Sequence, residues 1–215
     1  MKHQGETPKA HFGQLDKCVA RWGSPMSIEL PPLALSVRQP WAYAIIFAGK
    51  HLENRSRGAL KHMLGRMKRG RICIHASGGM TSDEYESALA TFKLAGQQCP
   101  RPDELIRGAI IGTVEVTGTL SPPQSTSPWW AGGSALTLAN PEALADPIPI
   151  IGELGYFDWS DPRCAERVSK RGQRDEKREP ASIYAPLPWM VAWPEKASRR
   201  NATTPSPAPA ADLFD

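Results

Sequence analysis

The chain has 215 residues, of which 40% are hydrophobic and 22% are charged, and its formal net charge is +4. This length suits one well-filled domain, and the composition suits a folded core with polar, proline-containing ends. The longest apolar run, WAYAIIFAG, is far shorter than the roughly 20 residues that cross a bilayer, and no secretory leader is visible, so we expect a cytoplasmic protein without membrane contact.

The amino-terminal part of the chain changes character near residue 30. Residues 1–30 show no sustained hydrophobic period and are predicted to form a flexible arm. The run LALSV then predicts a short strand that begins at Leu33. Pro40 suits the first position of a helix, where its missing N–H costs nothing, and the apolar residues after it predict a buried helix to about Ala48.

Two later segments, HLENR and RICIH, show the period of two residues that is typical of β-strands. In the first, Glu53 and Arg55 share one face, whereas in the second Arg71, Cys73 and His75 share one face. The two strands are therefore predicted to place Arg55, Arg71 and His75 around a common surface.

A block of positive charge covers the same part of the chain. No Asp or Glu occurs between Asn54 and Ser82, and the Lys and Arg residues of this block are Arg55, Arg57, Lys61, Arg66, Lys68, Arg69 and Arg71. Such a block attracts a polyanion and makes its binding sensitive to salt. A solvated basic loop is an equally good interpretation of this pattern.

A second helix is predicted from Ser82 to about Ala95. Thr81 and Glu84 have the spacing of a capping box, apolar residues recur at helical intervals, and Gly96 suits the helix end.

The clearest strand pattern is GAIIGTVEVTGTL, residues 108–120, and the shorter segments LTLA, IPII and LGYFDW follow it. Many short strands with few helices predict an α+β chain that is mostly β. We expect a small, partly closed β-barrel decorated with two or three helices.

The composition changes again after Trp159. Residues 161–193 are predicted to be a charged linker, which contains KRGQRDEKRE, followed by the apolar strap APLPWMVAWP. Residues 194–215 have the Pro, Ala and Ser bias of a disordered tail. The strap either packs back on the barrel or is exposed to a protein partner.

The sequence contains no pattern that indicates a metal or cofactor. Cys18, Cys73, Cys99 and Cys164 lie far apart without a CxxC pair, and we interpret them as buried free thiols. No phosphate-cradling glycine loop and no nucleophile elbow occur. We therefore predict no metal and no cofactor.

Five segments in order carry a resemblance to a known family. LSVRQPWAYAIIFAGKHLENRSR, RGRICIHAS, GAIIGTVEV, PWWAGG and GELGYFDW resemble the landmarks of the ASCH domain, which is named for homology to activating signal cointegrator 1 and is related to the PUA RNA-binding domain. The resemblance covers roughly residues 33 to 159, and we assign residues 31–160 to an ASCH/PUA-like domain.

The resemblance implies a PUA-like β-barrel with a cleft beside the first helix, and a role in binding RNA or a modified nucleotide. The family's motifs correspond here to Gln39-Pro40-Trp41, Lys50, Glu53-Asn54-Arg55 and His75-Ala76-Ser77. The candidate ligand-binding residues are Arg38, Gln39, Trp41, Lys50, Glu53, Asn54, Arg55, Arg71, His75 and Ser77.

The chemistry of these residue types also suits the binding of RNA or a nucleotide, independently of the family resemblance. The amino-terminal end of the Pro40 helix, beside Arg38, offers N–H groups to a phosphate, and Trp41 offers a face on which a base stacks. Arg55 suits a phosphate or a base edge. Each also has a structural interpretation, since a Trp is more often core and Glu53 with Arg55 forms an ordinary ion pair.

Two other functions stay open. Some bacterial proteins that resemble this family are amidohydrolases of acylated cytidine that use a lysine, a threonine and a glutamate. Here the lysine corresponds to Lys50, but Glu53 takes the threonine's place, so a nucleoside or RNA hydrolase using Lys50 and Glu53 is the second hypothesis. A protein-interaction adaptor that works through the carboxy-terminal segment is the third.

Overall fold

A computed structural model describes residues 30–65, 69–120, 125–164, 166–167 and 184–194. The chain divides into two units, Met1–Leu30 and Pro31–Asp215. The predicted arm before Leu30, the charge run KRGQRDEKRE, Cys18 and the tail after Pro194 lie outside the described residues.

The second unit contains every strand and helix with defined bounds. The strands are β1 (Leu33–Val37), β2 (Leu52–Arg55), β3 (Gly70–Ala76), β4 (Ala109–Leu120), β5 (Ser134–Pro149) and β6 (Tyr156–Asp158). The helices are α1 (Trp41–Phe47), α2 (Arg57–Leu64), α3 (Ser82–Leu94) and α4 (Pro188–Val191), and further helical residues lie at 162–164 and 166–167. The chain is therefore α+β and mostly strands, as predicted, with more short helices than the two or three expected.

The strands form a single six-stranded sheet in the order β2-β5-β4-β3-β1-β6. β1 runs parallel to β3, and the other neighbours are antiparallel. Three strands separate β2 from β1 in this order, yet Arg55 Nη2 of β2 donates a hydrogen bond to the Ser36 carbonyl of β1 at 2.8 Å. The sheet therefore curls into a half-barrel whose early strands approach each other at its open side.

Helix α1 packs against β3, β4 and β5, on the concave face of the sheet. Its apolar residues Ala42, Ala44, Ile45 and Ile46 are buried, as its sequence predicts. Pro40 precedes the helix instead of opening it, since its carbonyl accepts the first intrahelical hydrogen bond, from the Ala44 N–H. Fully burying each Ile contributes about 1.5 to 3 kcal/mol, which makes this contact a main source of stability.

The capping box predicted for α3 is present. The Thr81 side chain accepts from the Glu84 N–H, and the Glu84 carboxylate accepts from the Thr81 N–H. Gly96 follows the helix with a φ of +66°, the left-handed conformation that glycine adopts without strain.

Helix α2 lies within the basic block, for which a solvated loop was one of the two interpretations. Ser56 caps it by accepting from the Ala59 N–H, and Leu60 and Met63 are buried one turn apart. The many cations and Gly58 obscure this short apolar stripe in the sequence. The charges of Arg57 and Lys61 are consequently displayed on a helix.

Strand β5 corrects a second expectation. The segment LTLA and the first two residues of IPII, Ile148 and Pro149, were predicted in separate short strands but belong to one strand of 16 residues. Its pairing with β4 shifts register at three places, which accommodates Pro141 and Pro147 within one strand.

None of the helices in the described residues combines the length and apolar composition needed to cross a membrane. Across the same residues, no three His, Cys, Asp or Glu side chains group as metal ligands. Cys73 and Cys164 are buried free thiols, as predicted, whereas Cys99 is half-buried.

Candidate functional site

A cavity of about 430 Å³ lies beside the start of α1. Its walls come from the end of β1 and the start of α1, from β2, from the end of β3, from the loop at residues 152–154 and from Tyr184. The predicted site residues that line it are Arg38, Trp41, Glu53, Asn54, Arg55, His75 and Ser77.

One wall is built on a buried ion-pair network. Glu53 is 7% exposed, and its carboxylate contacts Lys50 Nζ at 2.7 Å and Arg55 Nη2 at 3.0 Å. The strand alternation predicted from HLENR thus puts Glu53 and Arg55 on the same face. Because one carboxylate holds two cations, the network presents net positive charge to the cavity, and the Arg55 guanidinium is fixed in place by Glu53 and by the Ser36 carbonyl.

Asn54 fastens the next loop to this wall. Its Nδ2 donates to the Trp129 carbonyl at 2.8 Å, and its Oδ1 accepts from the Ala131 N–H at 3.0 Å. Trp129 is buried edge-on against Phe92, with ring centroids 5.4 Å apart. The PWWAGG segment is therefore held by its first tryptophan and by Asn54.

Arg38 and Trp41 stand at the start of α1. The Arg38 guanidinium forms an ion pair with Glu84 of α3 and donates to the Gly79 carbonyl at 3.2 Å. The half-buried Trp41 ring stacks on Phe92 at 6.4 Å between centroids and also lines the cavity. This places an aromatic ring and a cation at the same mouth.

Two of the first-turn N–H groups that were expected to bind a phosphate at the amino terminus of α1 already have partners. The Ala42 N–H donates to the Arg38 carbonyl at 3.1 Å, and the Tyr43 N–H donates to Gln39 Oε1 at 3.0 Å. These first-turn donors are therefore already satisfied within the protein.

His75 forms a buried pair with Ser36. His75 Nε2 donates to the Ile150 carbonyl at 3.1 Å, so Nδ1 accepts from the Ser36 hydroxyl at 2.9 Å. Burial lowers the His75 pKa to about 4. A methyl group at Gly152 would lie 2.4 Å from His75 Nδ1, so only glycine lets the 152–154 loop lie against this pair. The neutral His75 thus positions one wall of the cavity.

The burial of His75 makes the free energy of unfolding depend on pH. Between its ordinary pKa of 6.5 and the folded value of about 4, His75 binds a proton in the unfolded chain but not in the folded one. We therefore expect the free energy of unfolding to fall by about 2 kcal/mol from pH 7 to pH 5 on account of His75. Urea denaturation at each pH measures the change.

The His75→Gln variant should lose this part of the pH dependence, although it is less stable at pH 7. His62→Gln, the same change on the exposed face of α2, should keep the full dependence. Equal pH dependence in wild type and His75→Gln would contradict the assignment.

Three predicted site residues lie away from the cavity walls. Gln39 is buried, donates to the Ile106 carbonyl at 2.7 Å and supports the start of α1. Lys50 is 3% exposed, and its ammonium is held by Glu53 and the Leu52 carbonyl. Arg71 donates to Thr113 and pairs with Glu142 of β5, and it does not line the cavity with Arg55 and His75.

Seven residues that line the cavity are not among the predicted site residues: Ser36, Val37, Gly78, Gly152, Glu153, Leu154 and Tyr184. Ser36 is the one polar residue in LALSV, and that break in an apolar strand was a usable signal. Tyr184 carries no local signal, because it lies far along the chain from every other wall.

No family model matches the chain, and no curated protein matches its sequence at a significant level. The resemblance to the ASCH domain therefore depends on its quoted sequence motifs alone.

Proposed function

We propose that this chain is an ASCH-like domain with a PUA-related barrel, and that it binds RNA or a modified nucleotide in the cavity beside α1. One observation carries the proposal. Residues from three segments that resemble separate family landmarks line the same cavity although the segments are distant in sequence: Arg38 and Trp41, then Glu53, Asn54 and Arg55, then His75 and Ser77.

The chemistry of the cavity suits a nucleotide. Its volume lies within the roughly 300 to 1,000 Å³ of small-molecule sites. Trp41 offers a ring for stacking, and Arg55 offers a fixed guanidinium whose buried Nε–H donates to no group among the described residues. The positive charge of Arg55 at the cavity favours a phosphate or a base carbonyl as the ligand group.

A neighbouring concavity supports a strand of RNA over a free nucleoside. It measures about 400 Å³, shares Asn54 and Arg55 with the first cavity, and continues to Arg57 and the Gly132-Gly133 turn. A chain whose base enters the first cavity would place its next phosphate near Arg57 and α2. The basic block then follows the phosphate backbone.

The proposal is tested by fluorescence anisotropy with labelled single-stranded RNA octamers of mixed sequence, between 50 and 200 mM salt. We expect binding whose log K falls linearly with log salt concentration. Arg57→Ala should weaken binding by a similar factor for every base sequence and reduce the magnitude of the slope by about 0.7, the contribution of one phosphate contact.

Lys93→Ala, at the end of α3, removes one exposed positive charge away from both concavities and should leave the slope unchanged. Absence of RNA binding, or binding that salt does not weaken, would refute the proposal.

A hydrolase that uses Lys50 and Glu53 is the alternative prediction. Lys50 does not line the cavity, and Glu53 is held between two cations, which suits orienting Arg55 better than accepting a proton. Turnover of an acylated cytidine that Lys50→Ala abolishes without unfolding the chain would favour the hydrolase instead.

A further inference from the structure

The carboxy-terminal segment, residues 184–194, contributes a wall to the cavity. Tyr184 lines the cavity together with Trp41 and Arg55, although a long stretch of sequence separates them. Its ring lies so close to Gly78 that a methyl group there would be 2.2 Å from the ring carbon Cζ. Gly78 is thus a close-approach position that admits the Tyr184 ring.

A buried arginine holds the start of this segment. Arg107 is 3% exposed, and its guanidinium donates to the Ala185 carbonyl at 2.5 Å and to the Gly78 carbonyl at 2.9 Å. The same guanidinium lies 5.9 Å from the centre of the Tyr184 ring, within the range of a cation–π contact. The ring therefore has a fixed position in the wall.

The rest of the segment is anchored on α3. Met190 of α4 is fully buried, and Trp193 packs edge-on against Tyr85 with centroids 4.9 Å apart. Arg101 donates to the carbonyls of Trp193 at 3.2 Å and Val191 at 3.5 Å. The strap thus packs back on its own domain through Trp189, Met190 and Trp193. Leu187 and Val191 stay exposed.

We propose that residues 184–194 are part of the ligand site, and that Tyr184 supplies an aromatic face on which a flat ring of the ligand stacks. This inference rests on the proposed function and deepens it, because it assigns the ring-recognising part of the site to Trp41 and Tyr184 together. The ligand class is then one with a planar aromatic group, a nucleobase, and a ribose with phosphate alone fits less well.

Ligand binding is therefore thermodynamically linked to the packing of residues 184–194 on the rest of the domain. A ligand that contacts Tyr184 binds more tightly when the segment is docked, and by reciprocity it holds the segment in place. Hydrogen exchange of the amides in residues 185–193 measures docking, and it does so without any ligand.

The experiment compares Tyr184→Ala, Tyr184→Phe and Gly78→Ala in the full chain, with labelled single-stranded RNA octamers as the probe. Tyr184→Ala should weaken binding by about 5- to 100-fold, the loss expected for one stacked ring, and Tyr184→Phe should bind like wild type. Gly78→Ala should reproduce the loss because its methyl group displaces the ring. Gly58→Ala, where a methyl group meets nothing within 4 Å, is the matched control and should bind like wild type.

The possible outcomes distinguish the role of Tyr184 from the proposed RNA binding. If wild type binds and both Tyr184→Ala and Gly78→Ala bind equally well, the role of Tyr184 is wrong while the proposed function stands. If wild type binds no RNA, the proposed function fails and the stacking role fails with it. Complete exchange of the 185–193 amides at the earliest time point would refute the docked segment whatever the ligand does.

Discussion

Replacing Glu53 with Gln is expected to lower the free energy of unfolding by about 3 to 5 kcal/mol. The neutral side chain leaves the buried ammonium of Lys50, beside the partly buried guanidinium of Arg55, without a countercharge. Breaking a buried ion pair from one side has a cost of this size. Guanidinium denaturation should show a lower midpoint at an unchanged slope.

Glu142→Gln is the matched control for this change. It breaks the ion pair with Arg71, but the Glu142 side chain is 62% exposed, so the expected loss is below about 1 kcal/mol. Adding Lys50→Met to Glu53→Gln should recover part of the stability, since it removes one of the uncompensated cations. A Glu53→Gln variant as stable as wild type would show that the network is open to water.

Replacing Trp41 with Ala is expected to weaken RNA binding by about 5- to 100-fold. The change removes a ring that lines the cavity, and stacking of one base on an aromatic side chain contributes about 1 to 3 kcal/mol. Anisotropy titrations at several salt concentrations should show the same salt slope as wild type, because no phosphate contact is lost.

Trp41→Phe should retain most of the affinity. Trp130→Ala removes a half-buried tryptophan that does not line the cavity and should bind like wild type once folding is verified by circular dichroism. Equal losses in Trp41→Ala and Trp130→Ala would indicate a general effect on the fold and would count against the stacking role.

Local patterns in the sequence were enough to predict most elements of the fold. The capping box of Thr81 and Glu84 places the start of α3, and the apolar run from Leu33 gives the bounds of β1. Strand β5 was harder, because Pro141 and Pro147 normally end strands and only pairing with β4 through shifted register retains them.

Site residues could be predicted where a local sequence pattern was sufficient. They could not be predicted where the order of the strands in the sheet determines which side chains meet. Alternation put Glu53 and Arg55 on one face, which their ion pair bears out. The alternation in RICIH also predicted that Arg71 lies on a common surface with Arg55. The sheet order brings β5 next to β4, so Arg71 near the start of β3 reaches Glu142 of β5. His75, four residues further along β3, lines the cavity with Arg55.

The strand order has a consequence for how the chain folds. Strand β1 pairs with β6 by joining Leu33 to Asp158, and β2 pairs with β5 by joining Leu52 to Thr137. Closing such long loops is slow, so these pairings are expected to form after the hairpin-like contacts of β3, β4 and β5. A nascent chain that ends near residue 130 therefore contains Trp41 and Arg55 but lacks the partners that hold them around a cavity. RNA binding should appear late in refolding, with the last strands to pair, and stopped-flow anisotropy can follow it.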